Sequence, residues 1–315
     1  MITITQFDPQ FDTQEWDNHV KNSKNGTFLH LRSFIDYHGD RFEDCSLMAY
    51  DNRDKLVAVF PANRRGDTLS SHDGLTYGGW VLPLKHLDVV TMLEVMEAAC
   101  NWAREHGFKH IRYRAVPHIY HRYPAEEDIY ALFYSGARLV GCNVSTVIDL
   151  ADRLPFDRGN KSSLNHAIAS GVKVVESADF GAFWSLLSQV LKDRYKAVPV
   201  HSLEEIVMLK ERFPYNIRLV LAYAGSELLS GVVLFEDRGV TRCQYIATSF
   251  HGRQFKSLTL LFDTLIDLSS SRGNRYFDFG TSNSNDGHEL NSSLVSQKCR
   301  LGGRAITYNI YQLDL

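Results

Sequence analysis

Cysteine is scarce in this sequence and nowhere paired. Its five cysteines, Cys45, Cys100, Cys142, Cys243 and Cys299, form no C-x-x-C motif in a chain of 315 residues. In a chain this long that pattern predicts a reduced, intracellular protein without a disulfide framework. Long hydrophobic runs are absent too; none approaches the ~18–20 apolar residues that a membrane span needs. The first ten residues, MITITQFDPQ, have neither a basic region nor an apolar one, so no signal peptide is expected and the expected location is the cytoplasm. Charge of one sign is also missing. Lys and Arg number 34 against 37 Asp and Glu, the net charge is −3 and the pI is about 6.5, so no global basicity advertises nucleic acid. What remains is an ordinary globular composition, 44% hydrophobic and 23% charged, long enough at 315 residues for two cores.

The order of elements repeats. In the first half, strand-like LMAY and LVAVF flank the turn Asp51-Asn52-Arg53-Asp54, a hairpin signature. A glycine-rich stretch, SHDGLTYGGW, leads to a helix over Val89–Arg104 with Met92, Val95, Met96, Ala99 and Trp102 at helical spacing. Gly107 ends it, and a strand follows from His110. In the second half, LVLAY and LLSGVVLF flank Ala224-Gly225-Ser226-Glu227, and Thr241–Ala247 is a third strand. A helix over Leu258–Ser270 then presents Leu258, Leu261, Phe262, Leu265 and Leu268 on one face. Gly273 ends that helix and Tyr276–Phe279 is the next strand. Tyr50 and Gly107 are 57 residues apart, Tyr223 and Gly273 are 50 apart. Similar order at similar spacing predicts two copies of one α/β unit, divided at 1–152 and 153–315, with Asp152, Pro155 and Asp157 in the linker.

The densest polar constellation runs from Tyr276 to Gly303, YFDFGTSNSNDGHELNSSLVSQKCRLGG. Alternation places Tyr276, Asp278 and Gly280 on one strand face and Phe277 and Phe279 on the other. Asp278 is therefore the general-base candidate, since aromatic neighbours disfavour the charged form of a carboxylate. Its other reading is a strand-end carboxylate bonded to the asparagine-rich loop. Asn291 suits a helix N-cap, and Lys298 lies two turns later on the same face. Asp278, Ser282, Asn283, Asn291 and Lys298 form one candidate pocket; the alternative is a capped loop on an ordinary surface. His106, His110, His118 and His121 span a helix end, a strand and a proline loop, and no Cys or carboxylate converges on them, so no metal site is expected. Between Arg104 and Tyr123 five cations face Glu105 alone. That stretch either grips a phosphate backbone or is a solvated face.

These segments resemble the FemAB-like branch of the GNAT superfamily, the tandem-GNAT acyltransferases and aminoacyl-tRNA-dependent peptidyltransferases. The resemblance is carried by Arg194 with VPVHSLEEI, by FPYNIRLVLAYAGSELLSGVVLF, by CQYIATS, and by YFDFGTSN with LNSSLVSQK and GG. TFLH and LTYGGWVLP resemble the family's first domain and make Tyr77 a substrate-contact candidate. The fold implied is α/β, two tandem GNAT-like domains with mixed central sheets flanked by helices, the active site in the second. The function implied is transfer of an acyl or aminoacyl group to an amine of a small molecule, amino sugar or peptide precursor of an envelope polymer. The donor implied is acetyl-CoA or another acyl-CoA, or aminoacyl-tRNA, with tRNA then a partner. Catalytic candidates are Asp278 and Lys298. Arg194, Gln244 and Tyr245 join the substrate candidates; one of the last two faces the cleft and the other the core. Gly252, Arg253 and Lys256 are the donor-binding candidates. The chain departs from the acetyl-CoA pattern at His251–Leu258, HGRQFKSL, where Phe255 and Lys256 replace a tight glycine turn. The alternative function is a degenerate pair that binds a sugar or peptide ligand without turnover.

Overall fold

The computed structural model describes the backbone of residues 1–315 and all side chains except those of Asp40 and Tyr195. The chain divides into two compact units. The first comprises Met1–Val144, Asn283–Leu290 and Thr307–Leu315, and the second Ser145–Ser282 and Asn291–Ile306. The sequence reading divides the chain at 152/153; the structure instead divides it inside a strand and returns two later segments to the first unit.

The first unit opens with β1 (Thr3–Gln6), α1 (Thr13–Asn22), α2 (Arg32–Ile35), β2 (Glu43–Asp44), β3 (Leu47–Tyr50) and β4 (Leu56–Phe60). It continues with β5 (Ala62–Arg65), β6 (Thr68–Ser71), α3 (Val89–Glu105), β7 (His110–Arg114), α4 (Glu127–Tyr134) and β8 (Arg138–Asp149). From Ser145 onward β8 belongs to the second unit. There follow α5 (Arg158–Ala169), β9 (Lys173–Ser177), α6 (Phe180–Tyr195), α7 (Leu203–Arg212), β10 (Ile217–Ala224), β11 (Glu227–Asp237) and β12 (Val240–Thr248). Then come α8 (Phe250–Gln254), α9 (Ser257–Ser271) and β13 (Tyr276–Thr281). The short hairpin β14 (Asn283–Ser284) and β15 (Glu289–Leu290) lies in the first unit, α10 (Ser292–Arg300) in the second, and β16 (Arg304–Asp314) joins the first from Thr307.

The first unit has a small sheet, β1-β3-β4, and a larger one ordered β2-β5-β6-β7-β16-β8. The second unit's strands are ordered β8-β13-β12-β11-β10-β9. Each unit contains one parallel pair, β6–β7 and β12–β13, with α3 or α9 as the crossover. A parallel neighbour requires such a crossover, and this explains the repeat legible in the sequence. The α3 stripe is buried as expected, with Met92, Val95, Met96, Ala99 and Trp102 against Leu47, Phe60, Trp80 and Ile111. In the second unit Leu261, Phe262 and Leu265 of α9 pack on Phe277 and Phe279. Burial of each such side chain stabilises by roughly 1.5–3 kcal/mol.

One buried polar pair in the first unit has a measurable pH consequence. The Tyr113 hydroxyl donates to the Asp128 carboxylate and accepts from the Trp80 amide at 2.6 Å. Burial, only partly opposed by the Tyr113 hydrogen bond, pushes the Asp128 carboxyl up to about 7. A carboxyl raised in the fold is ionised in the unfolded chain first, so stability falls as pH rises from the unfolded value toward 7 and is level above it. Between pH 5.5 and 7 the loss is expected to be about 2 kcal/mol. Asp128→Asn keeps an acceptor for Tyr113 and is expected to flatten that slope in denaturant titrations; an unchanged slope refutes the assignment.

Candidate functional site

β12 and β13 run parallel, and their registered pairing is short. Val240 faces Tyr276, Thr241 faces Phe277 and Arg242 faces Asp278, and there the pairing ends. Beyond that point β12 stays with β11, and β13 follows β8 to the pair Thr281 and Ser145. Both strands are irregular where they part. On β12, Tyr245 and Cys243 face successive residues of β11, leaving Gln244 as the extra residue of a bulge. On β13 the register slips between Asp278 and Thr281. Such bulges bend a strand and end its pairing. Gly280 sits at the slip with φ +79°, and a Cβ there would lie 3.3 Å from the Cys243 carbonyl oxygen. A non-glycine residue would be strained at this position.

The parted strands open a cleft of about 630 Å³, lined entirely by the second unit. Arg242, Gln244, Ile246 and Thr248 come from β12, and Gly280 and Thr281 from β13. Arg194 of α6, Gly252 and Arg253 of α8, and Gln297 and Lys298 of α10 also line it. Lys256, Thr259 and Phe262 bring the first turns of α9 to its wall. Five of these lining residues are cations and, among the described residues, no Asp, Glu or His lines the cleft. The N-terminal end of α9 adds the positive end of a helix dipole. The lining therefore places positive charge beside apolar walls.

The two catalytic candidates are buried and occupied by the protein's own groups. Asp278 is fully buried. One carboxylate oxygen accepts from the Ser145 hydroxyl and from the Gly280 amide at 2.8 Å, and the other from the Arg242 guanidinium at 2.8 Å. Its carboxylate is bonded to Arg242 and Ser145, while Phe277 and Phe279 belong to the apolar core. Lys298 is 5% exposed, and its ammonium donates to the carbonyls of Gly280 at 2.6 Å and Thr281 at 3.1 Å and to Ser282 Oγ at 2.8 Å. Burial, opposed by the nearby Asp278 charge, lowers the Lys298 ammonium to about 8.

The other candidates separate. Gln244 lines the cleft. Tyr245 points to the other side, its hydroxyl bonded to His201 and its ring edge-on to Trp184 at 5.1 Å. Arg194, Arg253 and Lys256 line the cleft. Gly252 lines it too, but its specific requirement is packing, since a Cβ would lie 2.3 Å from the Leu229 carbonyl oxygen. Ser282 is buried beneath Lys298, and Asn291 caps α10, accepting from the Leu294 amide at 3.0 Å. Asn283 belongs to the first unit, where it accepts from the Val144 amide at 2.7 Å and donates to Asn143. Tyr77 is also in the first unit, buried beside His30, Tyr120 and Tyr308. Arg242, Thr248, Thr259 and Gln297 were not legible as site residues in the sequence. Arg242 lies on the strand read as Thr241–Ala247, but its pairing with Asp278 depends on strand register.

The first unit has the same parallel pair, and its continuation is bonded differently. Past Ser70 and Arg112, the Arg114 amide donates to Ser71 Oγ at 2.9 Å and the Gly78 amide donates to the Arg114 carbonyl at 3.1 Å. Residues 71 and 78 therefore bond the backbone of Arg114 directly. At the start of α3 the Asp88 carboxylate accepts from the Thr91 amide at 2.8 Å, placing an anion where α9 presents cations.

Residues 160–288 match the family described as "Acetyltransferase (GNAT) domain". The solved structure of FemX superposes with TM-score 0.70 at 12% identity, covering 99% of this chain and 97% of that one. Residues 160–288 thus carry a GNAT domain, and the chain as a whole has the fold of FemX. The structure of L-PGS from Bacillus licheniformis has TM-score 0.63 at 13% identity, covering 98% and 91% of the two chains. A tandem GNAT protein from the clavulanic acid biosynthesis pathway has TM-score 0.50 at 10% identity, covering 100% and 98%. No curated protein sequence matches the chain. The parting of β12 and β13 is thus the strand splay of the GNAT fold. Among the described residues no helix is long and apolar enough to cross a membrane.

Proposed function

We propose that the second GNAT unit transfers an acyl or aminoacyl group from a phosphate-bearing donor to an amine. The observation that carries this reading is the splay-strand cleft itself, whose lining includes Arg194, Arg253 and Lys256 and, among the described residues, no carboxylate. Acyl-CoA and aminoacyl-tRNA both present phosphates beside an activated carbonyl. Arg253, Lys256 and Arg194 would hold the phosphate, and Gln244 at the bulge of β12 would face the carbonyl. The neutral amine attacks that carbonyl, a C–N bond forms, and the C–S or C–O bond to the donor breaks. The developing oxyanion is stabilised by amides on the edge of β12 that β13 has left. The amine's proton passes to water or to the leaving group, because the described lining offers no free carboxylate or imidazole. No covalent enzyme intermediate is required. The acceptor is a small molecule, an amino sugar or a peptide precursor of an envelope polymer.

A specific observation favours a second reading, a binding module without turnover. The amides of Gly252, Arg253, Phe255 and Lys256 all donate within their own loop, leaving little backbone cradle for a diphosphate. Incubation of the protein with acetyl-CoA or aminoacyl-tRNA and a panel of amines, read by mass spectrometry, separates the two. An acylated amine above the uncatalysed background supports transfer; none with either donor, while a sugar or peptide still binds, supports the module.

A further inference from the structure

We infer that Lys298 and Asp278 are positioning residues, a two-sided clamp on the backbone of Gly280 that fixes the point at which β13 leaves β12 and so sets the opening of the cleft. The inference rests on the acyl-transfer reading only for its kinetic arm. The Gly280 amide donates to Asp278 at 2.8 Å, while its carbonyl accepts from Lys298 at 2.6 Å. The two peptide units that flank the Gly280 Cα are thus each held, one by its amide and the other by its carbonyl, at the residue with φ +79°. A primary ammonium has three N–H bonds. Lys298 directs all three at this corner, to the carbonyls of Gly280 and Thr281 and to Ser282 Oγ. None remains for a substrate oxygen. Both carboxylate oxygens of Asp278 are likewise engaged, by Arg242, Ser145 and the Gly280 amide. Neither group is arranged as a proton shuttle. Together they brace the point at which the strands part, from β13 itself and from α10.

The test compares wild type with Lys298→Met, which keeps length and removes the charge and the donors, and with Ser282→Ala, which removes one acceptor. Hydrogen exchange over residues 279–284 is expected to quicken at least tenfold in Lys298→Met and a few-fold in Ser282→Ala, with α3 in the first unit unchanged. Unaltered exchange at 279–284 in both variants overturns the clamp, whether or not the protein is an acyltransferase. In the kinetic arm, donor KM is expected to rise at least tenfold in Lys298→Met, with the midpoint of the pH–rate profile unmoved. Lys298→Arg, which retains charge and donors, is expected to recover part of that loss. Disappearance of a pH limb in Lys298→Met would make Lys298 an acid or base and overturn the inference.

Discussion

Asp278→Ala is expected to destabilise the second unit by about 3–5 kcal/mol, because removing one partner of a buried pair strands the other's charge. Asp278 is fully buried, and its partner Arg242 has a side chain only 11% exposed. The substitution also frees the Ser145 hydroxyl and the Gly280 amide. For a unit of this size, each kcal/mol shifts the melting temperature by about 2–4 °C, so a drop of roughly 10 °C is expected. Asp278→Asn should fall less far, since an amide oxygen still accepts from Gly280 and Ser145. Differential scanning calorimetry checks both variants; a change below about 1 kcal/mol for Asp278→Ala contradicts the ion-pair account.

The second large effect concerns the cationic wall. Reversing two of its charges, Arg253→Glu with Lys256→Glu, is expected to weaken donor binding at least 100-fold, about 2.7 kcal/mol. Both side chains line the cleft, and neither takes part in an ion pair with a carboxylate among the described residues. Replacement of such surface groups usually moves stability by no more than about 0.5 kcal/mol, so the protein should remain folded. Wild-type affinity should fall with added salt, and the variant's should depend on salt less steeply, because fewer phosphate contacts remain to be screened. Equal affinity in the two proteins would place the phosphate elsewhere.

Much of this architecture is legible in the chain because local physics decides it. The apolar stripes of α3 and α9 need no partner to be seen at helical spacing, and the turns at Asp51–Asp54 and Ala224–Glu227 identify their hairpins. Asn291 reads as a helix cap and is one. Strand β6, Thr68–Ser71, escaped notice because TLSS is short and polar outside its sheet. Long-range pairings escaped for a different reason. The cross-strand partnership of Arg242 and Asp278 spans 36 residues and depends on the register of β12 against β13, which no local pattern fixes. The same holds for Gln244 and Tyr245. Alternation says only that they face opposite ways; the bulge and the rings of Trp184 and His201 decide which one meets the cleft. Asn283 sits beside Ser282 in sequence, yet the boundary between the two units falls between them.

The most direct test of the central claim is an equilibrium titration of the purified protein with CoA and, separately, with deacylated tRNA. The account predicts one-to-one micromolar binding of one of the two, abolished by Arg253→Glu with Lys256→Glu and untouched by substitution of Tyr77 in the first unit. Failure of both to bind, or binding that survives the double reversal, would contradict the assignment of the second unit's cleft as an acyl-donor site.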